Sequence, residues 1–195
     1  MKLRFIPALA LPLLLALAST GAGAACVPVV GAVKLLPDTA CTIRTVAQPG
    51  TPATLFPGDC FSVQLNLAGF PTATGYAGST VEPLVSMVPG APATMAPVAV
   101  PAAGAALPRQ IVQTARTTMY IGQGARRTTL YTTDVVVIQP QLSATGQLAP
   151  KLTTEQILIS GTDGKGAYAN VSGHLTVMGS TIGKPAPVAG QLCLP

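Results

Sequence analysis

One carboxylate in this sequence stands where a carboxylate is costly. In Thr128 to Ile138 (TTLYTTDVVVI), period-two alternation puts Asp134 on one face with Leu130, Thr132, Val136 and Ile138. A carboxylate among apolar neighbours costs free energy unless it is paired or hydrogen-bonded. Asp134 is therefore either an acid of raised pKa in a cavity, or a structural carboxylate held near Arg116 or at a strand edge. The single histidine, His174, shares its alternating face with Tyr168, Asn170, Ser172 and Thr176. That face is either a polar cavity wall or a solvated outer surface. Asp134 and His174 are the candidate catalytic residues, and Tyr131 and Arg116 join them as candidate ligand-binding side chains. Glu82 and Glu155 flank strands and are expected at the surface. Arg126 and Arg127 lie in a turn, with Arg109 and Arg116 not far away, and form either an anion-binding patch or a solvated turn.

Other chemistries find little footing. No GxSxG elbow supports a Ser–His–Asp hydrolase. With no CxxC pair and His174 remote from Cys26, Cys41 and Cys60, no zinc site is expected. No cofactor motif is present. The glycines of Gly164 to Gly173 precede no helix that would aim its N-terminus at a phosphate. Asn170-Val171-Ser172 is a glycosylation sequon only in a glycosylating host.

Of 195 residues, 49% are apolar and only 9% are charged, against about 25% charged in a typical globular chain. The apolar fraction argues against wholesale disorder. Lys2 and Arg4, the apolar run Ala8 to Ala18, and Ala22-Gly23-Ala24 have the order of a secretory signal peptide cleaved after Ala24. A retained anchor is the competing reading, but the run is short and is flanked and interrupted by Pro7 and Pro12. A lipid on Cys26 would call for Leu or a similar residue where Gly23 stands. Removing 24 of 195 residues leaves 171, and losing Lys2 and Arg4 takes the charge from +5 to +3. At that charge, with no basic–aromatic stripe, nucleic acid is not an expected partner. No second segment reaches about 18 uninterrupted apolar residues, so a soluble mature chain without a transmembrane segment is expected.

All four cysteines lie beyond the leader. An even number in an exported chain reads as disulfides, and four cysteines allow three pairings. The expected one is Cys26–Cys193, tying the termini, with Cys41–Cys60 closing a local loop.

The periodicity is that of strands. Asp59 to Leu67 alternates Phe61, Val63, Leu65 and Leu67 against Ser62, Gln64 and Asn66. Ile111 to Ile121 and Thr128 to Ile138 are rich in Thr, Val, Ile and Tyr, and the turn between them makes a hairpin. Gln156 to Ser160 and Tyr168 to Met178 are further strands, the latter with Val171, Leu175 and Val177 inward. Cys41 to Ala47 and Ser79 to Val88 are weaker candidates. No convincing helix is found, although Thr154 to Leu158 offers material for one turn. Pro89 to Pro108, with five prolines and no charge, reads as a long surface connection or a binding lid. The expected architecture is one all-β domain over residues 25–195, a small antiparallel barrel or alternatively a sandwich.

Ile157 to Gly179 (ILISGTDGKGAYANVSGHLTVMG) resembles the strand–glycine turn–strand signature of the allene oxide cyclase and dirigent barrel superfamily. Gly164, Gly166, Ala167, Tyr168, Ala169, Ser172 and Gly173 carry the pattern, and Thr129 to Ile138 is similar to the strand before it. Lys165 and Asn170 depart from it. The resemblance spans about residues 109–179. It implies a closed antiparallel barrel of eight strands with a cavity, and it places no catalytic residue on this chain. The leading functional reading is an exported, disulfide-bonded barrel that binds a small apolar or amphipathic molecule or serves as an interaction module. A cyclase or isomerase using a cavity carboxylate, and an adhesin-like surface protein, are the alternatives.

Overall fold

The computed structural model of the protein describes residues 25–51, 53–84 and 94–194. The expected leader (residues 1–24), residues 85–88 of the weak strand candidate, and the first five residues of the proline-rich segment lie outside the described residues. Strand β1 (Ala25–Pro37) is followed by a helical turn α1 (Ile43–Val46), β2 (Leu55–Leu67), β3 (Ala73–Thr80), β4 (Pro83–Leu84) and β5 (Thr94–Met95). Then come β6 (Val98–Val100), β7 (Gln110–Ile121), β8 (Thr128–Leu142), β9 (Leu148–Thr162), β10 (Ser172–Met178) and β11 (Ala186–Leu194).

Eight strands run β3-β2-β1-β11-β10-β9-β8-β7, and β3 pairs back onto β7 to close a barrel. All these pairings are antiparallel. Closure satisfies the edge hydrogen bonds that an open sheet would expose. At the closing seam Gly75 lies opposite Met119, and a Cβ there would strike the Thr118 carbonyl, so the tight approach needs glycine. Beyond the end of β3, the short β6 takes over the same edge of β7. The proline-rich segment thus contributes β5 and β6.

Alternate residues of each strand point inward and form one apolar core. Its members include Val33, Val63, Leu65, Met119, Leu130, Ile157, Val171, Leu175, Val177, Val188 and Leu192. Phe61 points inward too, but only half-buried. One end of the barrel is plugged by Phe70 and Tyr168, whose rings lie 6.1 Å apart. Only a void of about 20 Å³ with apolar walls remains there. Cys26 pairs with Cys193 across β1 and β11, and Cys41 is bonded to Cys60. These bonds close chain segments of 167 and 19 positions. By loop entropy they are worth about 5 and about 3 kcal/mol against the unfolded chain.

Several local expectations need correction. Cys41 to Ala47 is no strand, because Thr42 and Thr45 build a helical turn instead. The Thr42 N–H donates to Thr45 Oγ1 (2.8 Å), and that hydroxyl donates to the Thr42 carbonyl (2.7 Å). Thr154 to Leu158 makes no helical turn and lies within β9. The strand expected from Tyr168 begins only at Ser172. Tyr168 belongs to the preceding turn, where its N–H donates to Thr128 Oγ1 (3.0 Å), itself a donor to the Lys165 carbonyl (2.7 Å). Its ring therefore joins the apolar plug rather than the face of His174. Gly164 and Gly166 have φ of 69° and 73° in this turn, a region that favours glycine.

Candidate functional site

The inner face of β8 reads Leu130, Thr132, Asp134, Val136 and Ile138, so the barrel interior changes character along its axis. Below Thr132 it is apolar and packed. Asp134 is completely buried, with an exposure of 0%. The Thr117 and Thr132 hydroxyls both donate to its Oδ2, at 2.8 and 3.0 Å. Oδ1 has no hydrogen-bond partner. Its neighbour on β9 is Glu155, since Asp134 lies opposite Ile157 and Val136 opposite Glu155 on the same inner face. The Glu155 side chain makes no hydrogen bond to another described residue.

Both acids hold their protons tightly. Burial pushes Asp134 up to about 7, against the pull of the Thr132 and Thr117 hydroxyls and of Arg116, while Glu82 pushes it further up. Burial pushes Glu155 up to about 8, and the neighbouring Asp134 charge adds to the effect.

Above the acids the barrel opens into a cup of about 450 Å³. Its walls carry Leu35 and Phe61 from β1 and β2, Ala77 and Ser79 from β3, and Ile111, Gln113 and Ala115 from β7. β8 adds Val136 and Ile138, β9 adds Thr153 and Glu155, and the β10–β11 connection adds Ser180, Thr181 and Ile182. Glu155 also borders the small interior void behind the cup, with Thr117, Thr132 and Ile157. It marks the boundary between cup and packed core. A small-molecule site has this composition, mostly apolar walls with a few placed polar groups.

Of the candidate ligand-binding residues, Asp134 alone faces the barrel interior. His174 is exposed on the outer face of β10, opposite Leu158 of β9 and Gln191 of β11. The polar side of β10 is thus the solvated one, and its apolar partners Leu175 and Val177 fill the core. Tyr131 is on the outer face of β8, where burial, Asp163 and Tyr120 raise its phenol pKa. Arg116 is on the outer face of β7, donating to Glu82 (2.9 Å) and to Thr133 Oγ1 (2.7 Å). It does not touch the cup, and its partnership accounts for Glu82, which lies half-buried in the β3–β4 connection rather than exposed. Glu155 too was expected at the surface. Its placement inside follows from β9 being longer than its apolar residues suggest and carrying Leu152 and Leu158 outward. Arg126 and Arg127 sit exposed in the β7–β8 turn, and the Arg127 guanidinium lies 5.0 Å from the Tyr120 ring centre.

Among the described residues, no group of three His, Cys, Asp or Glu side chains could hold a metal ion, and no helix is long and apolar enough to cross a membrane. No family model, curated protein or solved structure matches the chain.

Proposed function

We propose that this protein is an exported barrel that holds a small, largely apolar molecule in the cup, with the molecule's polar end at Glu155. The observation that carries this reading is the cup itself: a concave space of about 450 Å³, mostly apolar-walled and open at one end, with Glu155 in its wall and the buried Asp134 behind it. Ligand pockets run from roughly 300 to 1,000 Å³. The leader-like first 24 residues and the two disulfides support export to an oxidising compartment, the periplasm or the cell exterior. The similarity of residues 109–179 to the allene oxide cyclase and dirigent superfamily, whose barrels hold cavities, supports the same use of the fold.

A second reading, a cyclase or isomerase, is favoured by the acid pair. Two carboxyls with raised pKa values beside a cavity are suited to giving and taking protons. The test common to both is native mass spectrometry of protein recovered from an oxidising compartment. The wild type is expected to retain a small molecule, and Gln113→Trp, which narrows the cup, is expected to retain much less of it while keeping a β-type dichroism spectrum. Equal retention by the variant would end the cup reading. A bound molecule that the wild type releases as an isomer, but Glu155→Gln releases unchanged, would establish the enzymatic reading.

A further inference from the structure

The lining of the cup carries charge of only one sign. Asp59 and Glu155 contribute carboxyls, Gln113, Ser79, Thr153 and Thr181 contribute neutral polar groups, and among the described residues no Lys, Arg or His lines it. Behind Glu155 stands Asp134, fully buried, with Oδ1 unpartnered. Arg116, whose charge acts on Asp134, is on the far side of β7 and is already engaged by Glu82. A carboxylate ligand would thus meet only like charge and no counter-ion. A neutral hydroxyl would find acceptors but no charge to complement.

We propose that the cup selects a cationic amphiphile, an apolar body bearing a primary or secondary amine, whose ammonium binds the Glu155 carboxylate. This rests on the cup being a ligand site. The ammonium enters already protonated and stays so. Glu155 loses its proton to solvent and becomes the counter-ion, so binding releases one proton and leaves the charge of the complex equal to that of the empty protein. The ammonium N–H groups donate to the Glu155 carboxylate, a charge-assisted bond stronger than one from a hydroxyl.

The titratable groups facing this position are Asp134 from β8, Glu155 from β9 and Asp59 from β2. β7 presents Gln113, Ala115 and Thr117, and the β10–β11 connection presents Ser180, Thr181 and Ile182, none of which titrates. Arg116 and Glu82 act on Asp134 from outside, in opposite directions.

Calorimetry with decylamine and decanoate below their micellar concentrations, and decanol below its solubility limit, tests this on the disulfide-bonded protein at neutral pH. Decylamine is expected to bind about tenfold tighter than decanol, and decanoate most weakly. Repeating the titration in buffers of different ionisation enthalpy should show proton release with the amine and none with the alcohol. Glu155→Gln should keep decanol binding and lose both the amine preference and the proton release. If Glu155→Gln fails to fold, Asp59→Asn serves instead, and a smaller loss of amine preference with proton release intact is expected. Decanol binding as tightly as decylamine, or decanoate binding best, would overturn the cationic ligand and leave the cup reading standing. Failure of all three to bind would remove the cup reading, and this inference with it.

Discussion

Asp134 and Glu155 face the barrel interior from adjacent strands, staggered by one inward position, with Val136 opposite Glu155 and Ile157 opposite Asp134. Each therefore raises the cost of ionising the other in a space that burial already makes hostile to charge. Asp134 rises from 3.8 to about 7 and Glu155 from 4.5 to about 8, so the folded barrel binds protons that the unfolded chain has released. Stability then falls with rising pH between the unfolded and folded values, because the native state binds more protons throughout that window. Melting temperature is expected to decline from the mildly acidic range to pH about 8 and to level off above it. A melting temperature that climbs across this window would contradict the buried pair.

Asp134→Asn removes one ionisable group and little else. The amide oxygen can accept from the Thr117 and Thr132 hydroxyls as Oδ2 does, and the amide nitrogen falls on the side where Oδ1 lacks a partner. Above neutral pH the variant is expected to be as stable as the wild type or up to about 1–2 kcal/mol more stable, since an unpaired buried charge has been removed. Its pH dependence should flatten, and its effect on ligand affinity should exceed its effect on stability. Melting curves across pH, with ligand retention measured alongside, decide this. A loss above about 3 kcal/mol would mean that the ionised carboxylate holds the barrel together.

The Arg116–Glu82 pair ties the β3–β4 connection to the outer face of β7, with side-chain exposures of 16% and 12%. Removing either partner leaves a poorly solvated charge. Glu82→Gln is expected to cost about 1–3 kcal/mol. Arg116→Gln should cost as much and also move the Asp134 titration upward, because Arg116 holds it down. Denaturant titrations and carboxyl-selective NMR read the two effects separately.

The glycine turn offers a graded test. At Gly164 an added Cβ meets nothing within 4 Å, so Ala there bears only the penalty of positive φ, about 1 kcal/mol. At Gly166 the same Cβ would stand 2.5 Å from the Arg127 carbonyl oxygen, and the turn must shift. Gly166→Ala is expected to cost at least about 1 kcal/mol more than Gly164→Ala in urea unfolding. Equal costs would mean that the turn is not held against the β7–β8 connection.

Much of the barrel was legible in the sequence because a half-buried strand alternates. Phe61 to Leu67 and Thr128 to Ile138 did so, and both lie where their alternation put them. β1 and β11 escaped because apolar residues occupy both their faces: Val29 and Val33 are buried while Val30 is 61% exposed. Asp134 was legible as the one carboxylate on an apolar face. Glu155 was not, because β9 reverses the usual pattern. Leu152 and Leu158 point to solvent, and Thr153 and Glu155 point inward. Two strand faces of mixed polarity, those of Glu155 and His174, can be assigned only once closure of the barrel fixes which side is inside.

A ligand of the proposed kind enters the cup rather than docking on the outer apolar residues Leu152, Leu158 and Met178, which are 53%, 56% and 56% exposed. Titrating isotope-labelled protein with decanol and mapping the amide and methyl NMR shifts tests this most directly. Saturable shifts centred on Ile111, Ala115, Glu155 and Thr181 are expected, with His174 and Leu158 unmoved. Shifts confined to Leu152, Leu158, Met178 and His174, with the cup residues silent, would contradict it.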